Sequence, residues 1–411
     1  MYALDMLERT ITSTMTRAMR TFPALVLTGP RQSGKTTLLR KEYGRTHQFV
    51  SLEDPNVREQ ARSDPVGFLR QHNAPVILDE IQYAPELFSY IKTRIDDNRQ
   101  PGQWLFTGSQ HFPLMQGVSE SLAGRVAVLS LLPFSVGEAV KEPGLGRSID
   151  DILGSLFGDT PPRRLKREIP LDDWFLRGGY PEMRANPGVD RKIWCASYIQ
   201  TYLERDVRQL LNVGDLLTFE RFLRLCAART AQILNLSDLA RDAGVSVPTA
   251  KRWLSVLESS GQIFLLQPYH KNFGKRLIKS PKLYVADTAL ATFLTGFHTR
   301  EVVLNGPMSG ALMETTVVME WVKAFRHRGE LSSLYYWRSR DGLELDLLIE
   351  RNGKLYPLEV KVSSTVIPGM AAALKKWLML SGSGKRGVIL ANIPETISLS
   401  PGITASPWSL V

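Results

Sequence analysis

The stretch ALVLTGPRQSGKTTLL (residues 24–39) decides the fold class of the first part of the chain. An apolar run typical of a buried strand leads into GPRQSGKT (29–36), which matches the pattern G-x-x-x-x-G-K-[ST], and a helical pattern follows. This succession suits an anion site, because main-chain N–H groups at a helix N-terminus point towards a phosphate. We therefore predict a nucleotide site whose contacts are Gly29, Pro30, Arg31, Gln32, Ser33, Gly34, Lys35, Thr36 and Thr37.

Two pairs of polar residues give this site its expected chemistry. Lys35 is expected to reach the β- and γ-phosphates, and the Thr36 hydroxyl is expected to ligate Mg²⁺. The run PVILDE (75–80) ends in Asp79 and Glu80, so both carboxylates emerge at the carboxyl edge of the sheet. Asp79 then holds Mg²⁺, and Glu80 polarises the attacking water. ATP hydrolysis is the favoured prediction. An ordinary glycine-rich turn and a strand that merely ends in acidic residues are the alternatives.

Apolar strand-like runs alternate with helical periods over residues 1–140, which predicts an α/β fold with a mostly parallel sheet. The runs are ALVLT (24–28), QFVSLE (48–53), PVILDE (75–80), QWLFTG (103–108) and VAVLSLL (126–132). Composition and periodicity predict four further regions. They are a flexible connection or insertion at 141–170, a helical lid at 171–232, a winged helix at 233–300 and an α/β domain at 301–411.

Length and composition are those of a globular protein with two or three cores. The 411 residues are 43% hydrophobic and 22% charged. The two cysteines, Cys195 and Cys226, exclude a disulfide framework, and no cysteine–histidine group has zinc-site spacing. We expect a cytoplasmic protein without a membrane partner, because no apolar run approaches spanning length and the N-terminus lacks the apolar segment of a secretory signal. The net charge of +10 favours a polyanionic partner.

The segment LSDLARDAGVSVPTAKRWLSVLESSGQIFLLQPY (236–269) has the rhythm of helix, turn, helix and strand. Gly244 is predicted to end the first helix and Ser246 to cap the second. Residues 237–285 hold eight Lys or Arg and three Asp or Glu, which is half of the net charge of the chain. We predict that this winged helix binds DNA, while a protein-docking module or a structural lid is the alternative. The predicted contacts are Ser246, Thr249, Lys251 and Arg252 in the groove and Lys271, Lys275, Arg276 and Lys279 on phosphates.

The stretch LDLLIERNGKLYPLEVKV (345–362) is predicted to form a hairpin whose turn is Asn352-Gly353. Counting outward from the turn sets Asp346 directly opposite Glu359 on a polar face. The other face then carries an apolar set, namely Leu345, Leu347, Ile349, Tyr356, Leu358 and Val360. Because opposed carboxylates repel each other, we predict that Asp346 and Glu359 share a divalent cation. Without metal, one of the two is expected to have a raised pKa.

Seven segments together resemble one family. They are FPALVLTGPRQSGKTTLL, VILDEIQYAPELF, LFTGSQ, SLAGRVAVLSLLPFSVGE, FLRGGYPE, SPKLYVADTAL and EVKVSS. The chain resembles, over nearly its whole length except 141–170, the AAA-type (AAA+) ATPases of bacteria and archaea that carry a C-terminal domain of unknown function 4143. The resemblance implies an AAA+ core, a polar sensor at Thr107 or Ser109, and a homo-oligomer, expected to be a hexameric ring. It implies that Arg125 contacts the γ-phosphate of a neighbouring subunit as an arginine finger, although a solvated surface arginine is the alternative. Arg177 and the turn 178–181 are implied to lie near the nucleotide.

Asp346, Glu359 and Lys361 fit the D…E-x-K arrangement of the restriction-endonuclease-like fold, which the resemblance supports for residues 301–411. In that fold the carboxylates hold Mg²⁺ and the lysine orients the attacking water, with Glu314 as a further ligand or orienter. One alternative is a solvated edge in which Lys361 pairs with neighbouring glutamates. Another is a domain that binds DNA without cutting it.

The favoured function is therefore an ATPase that acts on or remodels DNA, branched DNA included, as an oligomeric ring. A nucleotide-gated signalling switch that docks a protein through its winged helix is the alternative from another class. A third alternative is an ATP-regulated DNA nuclease. Turnover stimulated by DNA would favour the first, and tight nucleotide retention without turnover would favour the second.

Overall fold

The computed structural model describes residues 7–108, 118, 121–141, 148–158, 168–203, 207, 216–270, 280–339, 341–382 and 384–410. Within these ranges the strands form one sheet of five and one of nine. Residues of helices pack in the cores of both sheets.

The five-stranded sheet contains the strands that the sequence predicts. They are β1 (Ala24–Thr28), β2 (Gln48–Ser51), β3 (Val76–Asp79), β4 (Trp104–Thr107) and β5 (Val126–Ser130). Their order is β2-β3-β4-β1-β5, and every neighbouring pair is parallel. The prediction of an α/β fold with a parallel sheet is confirmed.

Both faces of this sheet are buried, which explains why its strands are continuously apolar. Alternate residues of β1 enter different cores: Ala24 and Val26 pack on one face, and Leu25 and Leu27 on the other. Five helices flank the sheet: α1 (Ile11–Met19), α2 (Lys35–Tyr43), α3 (Pro55–Ser63), α4 (Pro65–Gln71) and α5 (Leu87–Asp97). The first face is covered by residues of α3, α4 and α5, and the second by residues of α1 and α2. A 3₁₀ turn, Ile81–Tyr83, follows β3.

A helical region follows the first sheet. Its helices are α6 (Val136–Ala139), α7 (Ile149–Phe157), α8 (Leu171–Arg177), α9 (Pro181–Ala185), α10 (Arg191–Tyr202) and α11 (Leu216–Ala228). They contribute to the largest hydrophobic core of the molecule, which also contains residues of the second sheet.

The segment predicted as a flexible connection or insertion, 141–170, contains the helix α7, which agrees with an insertion and not with a flexible connection at these residues. Ser148 and Asp151 form a capping box at its start. The apolar residues of this helix recur at helical spacing and are buried, namely Ile149, Ile152, Leu153 and Leu156. These local signals lie inside a segment rich in glycine, proline and charge, and the composition concealed them. Residues 142–147 and 159–167 lie outside the described ranges.

The second sheet joins two regions that were predicted as separate domains. Its strands are β6 (Gln232–Ile233), β7 (Ile263–Pro268), β8 (Lys282–Val285), β9 (Leu334–Arg338), β10 (Glu344–Arg351), β11 (Lys354–Lys361), β12 (Gly387–Ala391), β13 (Ile397–Ser400) and β14 (Ile403–Pro407). Their order is β13-β14-β12-β11-β10-β9-β7-β8-β6. Gln267 of β7 pairs in parallel with Tyr335 of β9, so the strands of the predicted winged helix continue the C-terminal sheet.

Six helices accompany this sheet. They are α12 (Leu236–Ala243), α13 (Val247–Ser259), α14 (Thr288–Leu294), α15 (Arg300–Asn305), α16 (Ser309–Arg326) and α17 (Ala372–Ser381). As predicted, Gly244 ends α12 in the left-handed conformation, and the Ser246 hydroxyl accepts a hydrogen bond from the Thr249 amide at the start of α13. Two 3₁₀ turns, Pro368–Ala371 and Trp408–Leu410, complete the region. Across the described ranges, none of the helices is long and apolar enough to cross a membrane.

The hairpin has the predicted turn, but at the start of β10 a side chain lies on the opposite face from the one predicted. Its ladder runs from Arg351↔Lys354 to Leu347↔Leu358. Against β9, however, β10 has one extra residue between Leu345 and Leu348. Leu345 therefore packs with Leu348 on the side of α17, whereas Leu347 packs in the main core. The prediction that Leu345 shares a face with Leu347 is wrong, because a bulge interrupts the alternation of side chains.

Candidate nucleotide-binding site

The phosphate-binding loop is a tight turn between β1 and α2. Gly29 has φ of 140°, and a Cβ at this position would lie 2.1 Å from the Leu131 carbonyl oxygen. Gly34 has φ of 94° and caps α2 in the left-handed conformation. Lys35 is buried, and its ammonium donates hydrogen bonds to the carbonyls of Gly29 (3.0 Å) and Pro30 (2.9 Å). The loop is therefore folded closely around the Lys35 ammonium.

The other predicted loop residues belong to the same turn. Ser33 is buried and Thr36 is half-buried in the first turn of α2, while Gln32 and Thr37 are exposed. Arg31 is half-buried. The loop thus presents its main chain, and not a row of long side chains, at the carboxyl end of β1.

Asp79 is the centre of a hydrogen-bonded group at the carboxyl edge of the sheet. Its Oδ1 accepts from the hydroxyls of Thr36 (2.8 Å) and Thr107 (2.6 Å). The Thr107 hydroxyl in turn accepts from the Glu80 amide at 2.9 Å. Burial raises the pKa of Asp79, and the hydrogen bonds from Thr107 and Thr36 oppose that shift. The phosphate loop motif, the acidic end of β3 and the end of β4 therefore meet at Asp79.

Thr36 and Asp79 are the residues that would hold Mg²⁺. Their side-chain oxygens lie 2.8 Å apart beside the loop, and hydroxyl and carboxylate oxygens are the donors that this cation prefers. Glu80 follows Asp79 with φ of 55°, and its carboxylate accepts a short hydrogen bond from the Gln82 amide group. Of the two alternatives for a polar sensor, Thr107 lies against Asp79, and Ser109 lies outside the described residues.

Arg9 is a residue at the loop that the sequence analysis did not select. It is almost fully buried, and its Nη1 donates to the Ser33 carbonyl of the loop at 3.0 Å. Its Nη2 donates to the Leu132 carbonyl, and its Nε lies 3.3 Å from a Glu138 carboxylate oxygen. No sequence motif marks Arg9, because Ser33 and Leu132 are 24 and 123 residues away along the chain.

Arg125 lies at the far end of the sheet from the loop. It directly precedes β5, and its carbonyl accepts from the amide of Ala24, the first residue of β1. Since β1 advances about 3.3 Å per residue, roughly 13 Å of strand separates this end from Thr28, after which the loop begins. The Arg125 guanidinium forms two hydrogen bonds with Asp96, at 2.6 and 3.0 Å. Arg125 therefore does not contact the loop of its own chain.

The turn formed by residues 178–181 lies against the phosphate loop. Pro181 Cγ is 3.7 Å from the position that a Cβ on Gly34 would take. Gly178 has φ of 59°, and Asp287 accepts a hydrogen bond from the Gly179 amide at 2.8 Å. The Arg177 guanidinium is directed to the carbonyls of Met183 and Asn186 just beyond the turn. The turn thus lies beside the phosphate loop, and a nucleotide contact of the turn or of Arg177 stays a prediction.

The predicted DNA-contacting residues have different surroundings. Lys251 and Arg252 are exposed on α13, and Thr249 is half-buried at its start. Arg241 pairs with Asp238 and Asp242, and Lys282 is buried between Glu314 and Glu344. Part of the positive charge counted in this region is thus neutralised internally. The four predicted wing residues, Lys271, Lys275, Arg276 and Lys279, lie outside the described residues.

A second acidic group lies in the interior of the C-terminal sheet. We call it the carboxylate cluster; its members are Glu314, Glu344, Asp346 and Glu359, with the lysines Lys282 and Lys361. Glu314 accepts from Lys282 at 2.8 Å and from the Tyr284 hydroxyl at 2.6 Å. Asp346 accepts from the Val360 amide at 2.8 Å. Arg338 also lies near the cluster, with its Nη1 3.9 Å from a Glu344 oxygen. Four carboxylates thus face three cations, so the ionised group would carry a net charge of −1.

Protons relieve part of this excess charge. Burial, and then the charge of Asp346, raise the pKa of Glu359 to about 8. The same two causes raise the pKa of Glu314 to about 7. Glu359 Oε1 accepts from Lys361 at 2.6 Å, whereas its Oε2 is buried and accepts no hydrogen bond from the described residues. The expected raised pKa is present, and a solvated edge does not describe this environment.

The cluster offers only a limited fit to a metal ion. Glu359 Oε2 and Asp346 are suitable donors, but lysines already occupy other oxygens of the cluster. Among the described residues, no three His, Cys, Asp or Glu side chains are grouped so as to hold a metal. A cation here would have to displace Lys361 from Glu359 or be held by two carboxylates.

Comparisons with known proteins agree with this architecture. An AAA domain family matches residues 21–140, a domain of unknown function (DUF8612) matches 169–301, and another (DUF4143) matches 309–411. Two mycobacterial relatives, the uncharacterized proteins Rv2008c of Mycobacterium tuberculosis and Mb2031c of Mycobacterium bovis, are each 31% identical over 374 residues. That alignment covers 90% of this chain and 77% of each relative.

Two solved structures show partial overlap. A Walker-type ATPase of Pyrococcus abyssi has a TM-score of 0.45 at 16% identity, over 71% of this chain and 97% of its own. The RuvB Holliday junction branch migration motor of Thermotoga maritima has a TM-score of 0.30 at 16% identity, over 62% of this chain and 88% of its own. Neither overlap bears on function.

The parallel sheet, the phosphate loop and the Asp79 group define a P-loop ATPase of the AAA type that carries a C-terminal DUF4143 domain. Within that class, the chain belongs to the same family as the two mycobacterial relatives.

Proposed function

We propose that this chain hydrolyses ATP with Mg²⁺ at the phosphate loop. The observation that carries the proposal is the chain of hydrogen bonds from Thr36 to Asp79 and from Thr107 to Asp79 and the Glu80 amide. These hydrogen bonds fix the positions of Thr36 in α2, Asp79 and the end of β4 with respect to one another. A site that is preorganised in this way can stabilise the charge that develops during phosphoryl transfer.

Each residue has a distinct role in this proposal. The Lys35 ammonium neutralises charge on the β- and γ-phosphates, and the loop amides bind their oxygens. Thr36 and Asp79 hold the cation, which when bound supplies charge neutralisation at the phosphate oxygens. The Glu80 carboxylate orients a water molecule and accepts its proton. Thr107 fixes the position of the Asp79 carboxylate relative to the Glu80 main chain.

The test is steady-state ATPase activity and binding of a labelled ATP analogue. Lys35→Ala should lose binding, because the phosphate charge is no longer neutralised. Glu80→Gln should bind but turn over about a hundredfold more slowly or worse, because only the acceptance of the proton is removed. Glu86→Gln is the matched control, since Glu86 is a surface glutamate that pairs with Arg62. Equal turnover in the wild type and Glu80→Gln would reject the assignment.

We propose DNA as the partner on which this activity acts. Lys251 and Arg252 support this, because both are exposed on α13 and neither forms an ion pair with any described residue. Such residues would contact phosphates or base edges if α13 entered a major groove. Replacing both with alanine should weaken duplex binding about tenfold and lower the salt dependence by about one ion per lost phosphate contact. Lys192→Ala on α10 is the control. Unchanged binding in the double variant would favour a protein-docking role instead.

We further propose that the active form is a ring in which Arg125 acts on a neighbouring subunit. Its position at the opposite end of the sheet from its own loop supports action between subunits. Asp96 then holds the guanidinium until a neighbour's nucleotide competes for it. Activity per chain should rise with protein concentration.

DNA cleavage at the carboxylate cluster is a second candidate function. The observation in its favour is the buried Glu359 oxygen without a hydrogen bond, beside Asp346 and Lys361. A divalent cation between Asp346 and Glu359 would neutralise the excess charge of the cluster. Because Lys361 already binds Glu359, we propose weak or conditional cleavage.

A further inference from the structure

The phosphate loop is connected to the C-terminal region through buried polar groups. Glu138 is fully buried, and it pairs with Arg9, which holds the loop carbonyl of Ser33. On its other side, Glu138 Oε1 lies 3.4 Å from Nδ1 of His327, at the end of α16. We call this series, Arg9, Glu138 and His327, the relay.

The protonation states of Glu138 and His327 determine which group donates and which accepts within the relay. The charge of Arg9 and hydrogen bonds outweigh the effect of burial and hold the pKa of Glu138 well below its usual value. Burial lowers the pKa of His327, although Glu138 opposes the shift. His327 Nε2 accepts from the Leu132 amide at 3.2 Å, so the remaining ring proton lies on Nδ1 and is donated to Glu138.

Two side chains of α16 also form hydrogen bonds with the main chain of the segment that follows β5. The Glu320 carboxylate accepts from the Val136 amide at 2.8 Å, and the Lys323 ammonium donates to the Phe134 carbonyl at 2.9 Å. Glu320, Lys323 and His327 are spaced three and four residues apart, so they share one face of the helix. That face holds the same segment to which Arg9 donates at Leu132.

The same helix also carries Glu314 of the carboxylate cluster near its start. Glu314 and His327 are 13 positions apart, which is about 20 Å along a helix. Residues 315–325 are all buried, so α16 is packed on all sides and would move as one body. One rigid element thus carries a member of the carboxylate cluster and also contacts Glu138 of the relay, which reaches the phosphate loop through Arg9.

We propose that Arg9 is a positioning residue for the phosphate loop, and that the relay makes nucleotide affinity depend on α16. The proposal rests on the nucleotide site described above. Arg9 fixes the loop main chain through the Ser33 carbonyl, and Glu138 fixes Arg9. Glu138 is held by His327 together with the amides of Thr10 (2.7 Å) and Ser135 (3.0 Å). A displacement of α16 would then change the shape of the loop, although no residue of α16 need touch the nucleotide.

The test is the dissociation constant of a labelled ATP analogue, measured together with kcat, KM and the melting temperature without nucleotide. Arg9→Gln should raise the dissociation constant and KM about tenfold, with a kcat at saturation within a few fold of the wild type. Arg9→Lys keeps the charge but cannot reach both carbonyls, and it should restore part of the affinity. Arg17→Gln is the matched control, since Arg17 on α1 is exposed and, among the described residues, its guanidinium donates to the Arg328 carbonyl alone.

A double-mutant cycle separates the relay from a general structural role. His327→Gln should weaken nucleotide binding about threefold, and adding it to Arg9→Gln should cause little further loss, because the series is already broken. Additive effects of the two changes would overturn the relay, as would wild-type affinity in a folded Arg9→Gln. If Arg9→Gln does not fold, wild-type affinity in His327→Gln overturns the proposal. A wild-type chain that binds no nucleotide would overturn the nucleotide site itself, and one that binds without turnover would overturn only hydrolysis.

Discussion

The nucleotide site and the carboxylate cluster use the same residue types, but their carboxylates have different neighbours. At the nucleotide site, hydroxyl groups donate to Asp79, and the Lys35 ammonium is directed to main-chain carbonyls. In the cluster, ammonium groups donate directly to Glu314 and Glu359. Hydroxyls leave the charge of a carboxylate in place, whereas a lysine neutralises it. We therefore expect the first site to bind a cation from solution, whereas lysines already neutralise part of the charge of the second.

This difference separates a site prepared for a ligand from a cluster that is largely satisfied. Asp79 lies beside the phosphate loop and accepts hydrogen bonds from two hydroxyl groups. Glu359 lies in the interior, with a raised pKa and a lysine on one oxygen. Four measurements test the contrast.

The largest expected effect concerns the nucleotide site in the ring. Arg125→Ala should bind ATP normally but turn over about a thousandfold more slowly, because an arginine finger stabilises charge only in the transition state. ATPase rates at several protein concentrations are the measurement. Asp96→Ala is the companion variant, since it releases Arg125 and should retain activity. A chain that is fully active as a dilute monomer would exclude a role between subunits.

The second measurement asks whether the cluster binds a metal and cuts. With Mg²⁺ or Mn²⁺, cleavage of duplex or branched DNA should be weak in the wild type and at least a hundredfold lower in Asp346→Ala and Lys361→Ala. Calorimetric titration with Mn²⁺ measures metal binding independently. Cleavage that persists in both variants would come from a contaminant. If the wild type neither cuts nor binds metal, the cluster is structural.

A smaller effect is expected at Thr107. Thr107→Val keeps the shape of the side chain but removes the donor to Asp79 and the acceptor for the Glu80 amide. Turnover should fall about tenfold, and the free energy of unfolding should fall by about 1–3 kcal/mol, since buried polar groups lose their partners. Thr107→Ser retains the hydroxyl and should behave nearly as the wild type. Unchanged turnover in Thr107→Val would show that the Asp79 group needs no fixed partner.

The smallest effect is the pH dependence of stability. The pKa values of Glu314 and Glu359, about 7 and about 8, lie above those of carboxyl groups in an unfolded chain. The folded chain therefore binds more protons between about pH 4.5 and 8, and this contribution to stability is lost as the pH rises through that window. Urea unfolding should show that Glu359→Gln, which stays neutral, loses less stability from pH 5 to pH 8 than the wild type, by about 1 kcal/mol or more. An identical slope in both proteins would mean that Glu359 binds no extra proton.

How far the sequence predicts structure depends on whether the signal is local. The phosphate loop, the end of β3 and the caps of α13 are local patterns, and the structure contains each one. The hairpin register is confirmed from Arg351↔Lys354 to Leu347↔Leu358, since an Asn-Gly turn sets it. The predicted alternation of side chains fails at Leu345, because β10 has a bulge against β9. No local pattern in the hairpin sequence predicts this bulge.

The sequence by itself determined the α/β class, the parallel strands, the nucleotide loop and the acidic pair of the hairpin, because strand periodicity, turn chemistry and motif spacing act over short distances. Only the tertiary structure decided that Arg9 holds the loop, that Lys282 pairs with glutamates of the cluster, and that α16 carries Glu314 and contacts the relay through His327. These contacts join residues far apart in the chain, and their energies arise from burial and from charge at close range. Burial and the close approach of these charges both arise only when the chain has folded.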